Sequence, residues 1–365
     1  MENHPANKKT CIHYTFIFVF SLSCMLLFTG CSNMAEVQDR DFGLALGISL
    51  TEEQFQLTYA LPDLSALTNE SKTDKNENNN GHTRTYTGTT FSEIEDQYNH
   101  GSNKLLDYRH LEALILDETI SSSVDKLPVL LEYLSNKYEI SHDVRVFYYP
   151  GDVKKLIEEK GKISGNIGDY LKKLENNNQR KNGLPSVTIG NLLDSYYQKK
   201  GLVVPLLEST EDKLAVNGAA VFQNSVFVKQ LTDEQLSIYY VIKGLGKEFN
   251  FYQNDLVFKL KEIDSKSRYF YRDNKPVIQL TIKGTAELIS VPSDHTDADT
   301  EINNYLTDAV LNQINTGFKS DKVDYINLYD ESSIKNRDIW LSYQNRRIDF
   351  INDAVIELNM DIQIQ

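Results

Sequence analysis

Pro276-Val277-Ile278-Gln279-Leu280-Thr281-Ile282-Lys283 sets Ile278, Leu280 and Ile282 against Gln279, Thr281 and Lys283. A period of two is the signature of a strand, and the run from Pro276 to Val291 reads as one. On its C-terminal side Thr300 opens an amphipathic helix that would bury Ile302, Leu306, Ala309, Val310, Ile314 and Phe318. The final strand alternates Ala354, Ile356, Leu358, Met360, Ile362 and Ile364 with polar residues, one face to a core and the other to water. On its N-terminal side Val257 to Ile263 reads as a strand. Leu214 to Lys229 reads as a hairpin turning at Gln223-Asn224-Ser225, and a helix runs from Thr232 to a stop at Gly244.

The first half mixes elements in the same way. Two extended segments between Phe42 and Tyr59 turn at Leu50-Thr51-Glu52-Glu53, and Asn69 to Arg84 is a polar insertion read as a solvated loop. Thr89-Thr90 can cap a helix from Phe91 to about Leu106, weakened by Gly101. His110 to Leu116 and Val144 to Tyr148 suit strands, and Leu127 to Asn136 and Val153 to Glu159 suit helices. Glu175 to Gly183 reads as a loop, and Thr188 caps a helix that stops at Gly201. Strands and helices interleave without a repeating βαβ rhythm. The expected class is multi-domain α+β, with mixed and antiparallel sheets and packed helices, preceded by a lipoprotein signal peptide.

The 365 residues carry 38 Lys and Arg against 52 Asp and Glu, a net charge of -14. So acidic a chain has no global basic field for a phosphate backbone, which argues against nucleic acid as a partner. Cysteine occurs only at Cys11, Cys24 and Cys31, so nothing after Cys31 can form a disulfide, a thiolate metal site or a Cys nucleophile.

Lys8 and Lys9 precede an apolar run from Ile12 to Phe28, and Thr29-Gly30-Cys31-Ser32 follows. That order is a secretory signal cut before a Cys, and Phe28-Thr29-Gly30-Cys31 resembles the lipobox of bacterial lipoproteins. The resemblance implies a diacylglyceryl group on Cys31 and residues 1–30 removed. The alternative is an uncleaved span, since the apolar run approaches the ~18 residues that cross a bilayer. Both place the remainder outside the cytoplasm on a membrane surface. The rest divides into an N-terminal unit, 31–210, of one or two folded parts with its insertion at 69–84, and a C-terminal unit, 211–365.

Chemistry is sparse. His82, His100, His110, His142 and His295 show no paired-ligand spacing, so a zinc hydrolase has no support. Gly244-Leu245-Gly246-Lys247-Glu248 lacks the first Gly of a phosphate loop and has Glu248 where Ser or Thr would bind magnesium, so it reads as a helix stop. Asp297-Ala298-Asp299-Thr300-Glu301, with Asp294, has the early spacing of a calcium loop, but Ile302 replaces the Gly and Asp308 the chelating Glu. These acids read instead as partners of a helix dipole. No catalytic residue, cofactor, metal or small-molecule ligand is assigned.

The order of segments resembles the Ger(x)C family, the lipoprotein C subunits of spore germinant receptors. The likeness rests on Gly47-Ile48-Ser49-Leu50 and Gln54 to Tyr59, on His110-Leu111-Glu112-Ala113-Leu114-Ile115-Leu116-Asp117-Glu118, and on Asn217-Gly218-Ala219-Ala220-Val221-Phe222-Gln223 to Leu231. It continues through Asp324-Tyr325-Ile326-Asn327-Leu328, Trp340, Phe350 and the final strand. The resemblance implies a non-enzymatic protein on the outer face of the spore inner membrane, held by lipid at Cys31 and working with two polytopic subunits, A and B. His110, Trp340, Phe350 and the Gly218-Ala219 turn read as core and turn positions. The rival functions are a substrate-binding lipoprotein of a transporter and a cell-wall hydrolase.

Overall fold

A computed structural model of the chain describes residues 39–62, 82–164, 166–182, 185–210, 213–253, 256–290 and 297–365. The leader, Cys31, Asp294, His295 and most of the insertion fall outside them.

The first half opens with β1 (Arg40–Phe42), β2 (Ala45–Thr51), β3 (Gln54–Leu61) and β4 (His82–Gly88). Next come α1 (Phe91–Gly101), β5 (Leu105–Asp107), β6 (Ala113–Asp117), α2 (Glu118–Ser121), α3 (Lys126–Asn136) and β7 (Arg145–Tyr149). It closes with α4 (Val153–Ser164), α5 (Ile167–Asn182), α6 (Ile189–Gln198) and β8 (Gly201–Ser209). The remainder holds β9 (Leu214–Gln223), β10 (Val226–Leu231), α7 (Asp233–Lys243), β11 (Glu248–Gln253), β12 (Leu256–Arg272) and β13 (Lys275–Ser290). α8 (Ala298–Ile314) runs into a π-helical turn, Asn315–Ser320, and α9 (Leu328–Lys335), α10 (Arg337–Ser342), α11 (Arg347–Asp353) and β14 (Val355–Ile364) finish the chain.

One sheet has eight strands in the order β10-β9-β8-β7-β6-β2-β3-β4, a second has four in the order β11-β12-β13-β14, and β1 pairs with β5 alone. The α+β class with mixed and antiparallel sheets holds. A local feature differs from the sequence reading: β2, β6, β7 and β8 lie parallel, so β6 to β7 and β7 to β8 are βαβ crossovers. Helices cover both faces there, and β6 is buried along its whole length. Leu46, Leu57, Leu114 and Tyr148 face one core with α1, α3 and α6; Ala45, Ala113, Ile115 and Phe147 face another with α4 and α5. A third core lies among the four-stranded sheet, α7, α8 and the C-terminal helices.

Local sequence explains most boundaries. The Thr90 side chain accepts from Glu93 N, and Glu93 Oε2 accepts from Thr89 N, which fixes the start of α1; the helix stops at Gly101, short of Leu106. Thr232 and Gln235 form a full capping box on α7, and Gly244 closes it in the left-handed region. Asp297, rather than Thr300, caps α8. Three further readings need correction. The stretch expected to loop from Glu175 continues α5 as far as Asn182, because Ile167, Leu171 and Leu174 seat it on a core while Glu175 meets Arg145 at 2.5 Å. Residues 82–84 of the expected insertion pair with β3 as part of β4. β12 extends past Ile263 to Arg272, across a bulge at Glu262, whose φ is 51°.

Candidate functional site

The cores meet along β8 and β9. Val203, Ala219 and Val221 contribute to the C-terminal core, whereas their neighbours Val204, Ala220 and Phe222 contribute to a core of the first half. Alternation along two strands thus ties both hydrophobic centres to one backbone. The boundary expected at 210/211 falls between these paired strands.

The seam is fixed by two backbone approaches. Lys199 ends α6 in the left-handed region, and Gly201 begins β8 directly against the segment Asp324–Asn327. A Cβ on Gly201 would stand 2.4 Å from Tyr325 Cα and 2.6 Å from Asp324 O. Asn327, itself left-handed, donates from Nδ2 to Gly201 O (3.0 Å) and accepts at Oδ1 from Gly201 N (2.9 Å), as a neighbouring strand would. On the opposite side of the seam, Gly218 has φ +78° and packs against Leu231 O, where a Cβ would lie at 2.2 Å.

Behind Asn327 sits a polar hub. Buried Asp324 accepts from Leu328 N (2.8 Å) and Tyr329 N (2.9 Å), anchoring the start of α9. Burial pushes its carboxyl up to about 6 although those donors and Arg347 oppose the shift. Arg347 Nη2 bonds both oxygens of Asp330 at 2.9 Å, and its guanidinium lies 5.0 Å from the Tyr329 ring centre. Lys243 donates to Ile326 O (3.0 Å) and Glu331 Oε1 (2.6 Å), and Ser267 and Tyr269 donate to Glu331 Oε2. Every acid in this hub is thus held by a cation or by backbone and hydroxyl donors, an arrangement suited to rigidity.

Two clefts flank the seam. One, of about 410 Å³, lies among Lys199, Asn224, Lys322, Trp340, Arg347 and Ile348. The other, of about 580 Å³, lies among Tyr149, Gly151, Glu208, Asn217, Gln230 and Thr232. Neither brings a nucleophile to a base among these residues, and among the described residues no group of three His, Cys, Asp or Glu side chains could hold a metal ion. Asp297 and Asp299, parts of the acid cluster, are engaged structurally: Asp297 accepts from Thr300 N and Asp299 from Ile364 N.

Of the residues singled out from sequence, Cys31 lies outside the described residues. His110 is exposed, with its ring 4.8 Å edge-on from Phe42. Trp340 is partly buried at the rim of the C-terminal core, and Phe350 is fully buried against Phe318, Tyr329 and Tyr343. Gly218 makes the close approach its lack of a side chain permits. The sequence reading missed Gly201 as a contact, Asn327 as a clamp and Arg347 as a ligand of Asp330. A Gly after a helix was visible; its partner 126 residues away was not.

Comparison with known proteins gives a consistent pattern. Residues 33–209 match the family model described as the spore germination protein N-terminal domain, and residues 217–365 match the one described as spore germination B3/GerAC like, C-terminal. A solved structure titled "Crystal Structure of the GerBC protein" is similar over 87% of this chain and 96% of that one, with 14% identity and a TM-score of 0.57. At that identity the likeness is one of fold. No curated protein matches the chain.

Proposed function

The chain belongs to the Ger(x)C family of spore germinant-receptor C subunits, and from that premise we propose that it is a non-enzymatic, membrane-anchored subunit needed for nutrient-triggered germination. The observation that carries this reading is the tandem order of the two spore-germination domains, at 33–209 and 217–365. The proposed organisation is a leader at 1–30 and two units, 31–210 and 211–365, that meet along β8 and β9. A seam clamped by Asn327 and the Asp324 hub supports a rigid body that works by presenting surface, and the clefts beside it add no acid–base machinery to the family reading.

Cys31 is the proposed anchor. Two acyl chains at ~0.8 kcal/mol per buried CH₂ retain a protein stably at a bilayer. Among the described residues no helix is long and apolar enough to cross a membrane. The proposed partners are the two polytopic receptor subunits, A and B, at the outer face of the spore inner membrane. Cys31→Ala in place of the native chain is expected to release the protein from spore membranes and to slow nutrient germination. Full membrane retention of that variant would count against cleavage and lipidation as the anchor.

A further inference from the structure

Charge is distributed unevenly in this acidic chain. The helix α5, Ile167–Asn182, has four Lys and Arg residues against two Asp and Glu, the reverse of the whole-chain balance, with Lys173 paired to Asp169 (2.5 Å) and Arg180 exposed. α5 lies across the N-terminal ends of three parallel strands. Gly168 packs on Leu44 just before β2, Lys172 pairs with Glu112 (2.7 Å) just before β6, and Glu175 pairs with Arg145 at the start of β7. The described chain enters at this same end, because β1 leads through Gly43 and Leu44 directly into β2.

The β1–β5 pair beside that entry has a layered charge arrangement. Asp107 is buried and is held by Arg40 (3.0 Å) and Arg109 (2.5 Å), which keep its carboxyl well below the usual range. Asp41 is buried beneath Arg84 (3.4 Å) and Lys104 (3.7 Å) and accepts from Tyr98 at 2.6 Å. The carboxylates therefore lie inward and the cations outward, and Arg109 exposes 59% of its side chain. Nearby Glu95 and Glu139 are both engaged by Lys137, and Asp39 is exposed at the chain entry. Leu105 in β5 and Tyr138 after α3 are exposed apolar groups on this end.

We propose that this end of the first half, made of the outer face of α5 and the cations over Asp41 and Asp107, rests on an anionic lipid surface. The inference builds on the lipid anchor proposed at Cys31. Eight residues lie between Cys31 and Arg40, so the tether spans at most about 30 Å, and β1 stays within that distance of the bilayer. With so short a leash, the orientation is set by whichever face an anionic surface tolerates within a Debye length of about 8 Å. In a chain of net charge -14 most faces are repelled. The α5 and β1–β5 end supplies cations that headgroup phosphates attract, with Leu105 and Tyr138 placed to meet the interface.

The test uses the full, acylated protein in vesicles of phosphatidylcholine alone or with about 30% phosphatidylglycerol, the anionic share that raises the surface potential. A fluorophore is placed on Leu105→Cys or, as the distant control, on Ile334→Cys in α9, and quenching by a headgroup nitroxide is read. Strong quenching at 105 and weak quenching at 334 are expected on anionic vesicles. The difference should vanish in about 1 M NaCl, where the Debye length is about 3 Å. It should also vanish in the Lys173→Glu/Arg180→Glu double variant while the protein stays vesicle-bound and helical by circular dichroism. Equal quenching at both sites, or quenching at 105 indifferent to lipid charge, salt and charge reversal, would overturn the proposal. Mass spectrometry of Cys31 separates the two ideas: an unmodified Cys31 removes the anchor, and the lipid-charge dependence of quenching still decides the face.

Discussion

Asn327 binds the backbone of Gly201 with both ends of its amide, and the register between the two halves of the molecule depends on that side chain. Asn327→Ala leaves a partly buried N–H and C=O without partners, a loss of about 2–3 kcal/mol for two bonds of this type. Gly201→Ala attacks the same seam sterically and should be worse, since its Cβ has no room beside Tyr325 Cα. Calorimetry is expected to show one unfolding transition in the native chain and a lowered, split transition in either variant; an unchanged single peak would remove the clamp from the account. Acid titration is a second residue-scale test. Burial lifts both Asp117 and Asp324 to about 6, so the stability they contribute is full below their unfolded value near 4 and is lost as pH rises through 6. Asp107 has the opposite shift, and its contribution is lost as pH falls below about 4. Thermal midpoints should rise from pH 7.5 to about 5 and fall below about 4. Asp324→Asn should flatten part of the rise.

At the scale of elements, β14 shows how the fold manages an edge. Asn303 on α8 donates to Ile362 O (2.8 Å) and accepts from Ile362 N (3.0 Å), and Lys319 reaches Ala354 O at the strand's other end. Both ends of the outer edge are therefore occupied by side chains, which limits strand addition to the window around Leu358. Asn303→Ala should cost about 2 kcal/mol and increase self-association on heating, measured by light scattering. Much at this scale was legible. The alternation of β13 and β14, the Thr232 capping box and the Gly244 stop are local signals, and each appears where its chemistry places it. The second half of α5 was not legible, because Asn176, Asn177 and Asn178 look like a loop until Leu171, Leu174 and buried Glu175 are seen to hold the inner face. β8 escaped for a different reason: Pro205 interrupts its apolar run, and only the register shift between Pro205 and Leu207 makes that Pro acceptable. The parallel pairing of β13 with β14 has no local signature, since the whole stretch 291–354 lies between the two strands in sequence.

The described polar clusters are closed on themselves, around Asp324 and Glu331 in one half and Asp41 and Asp107 in the other. What the chain offers outward is a rigid pair of sheets, an acidic surface and one end where cations gather. Cys31, nominated from an apolar leader and a small-residue cut, lies outside the described residues, and the seam was not legible because it joins Gly201 to Asn327, 126 positions apart. The family, by contrast, was readable from the collinear order of short segments from Gly47 to Phe350. The measurement that bears most directly on the central claim is a mild-detergent pull-down of the tagged full chain from spore membranes, with mass spectrometry of what accompanies it. Two multi-span receptor subunits co-purifying is the predicted result; a transporter permease with its ATPase, or no membrane partner at all from intact membranes, would contradict it.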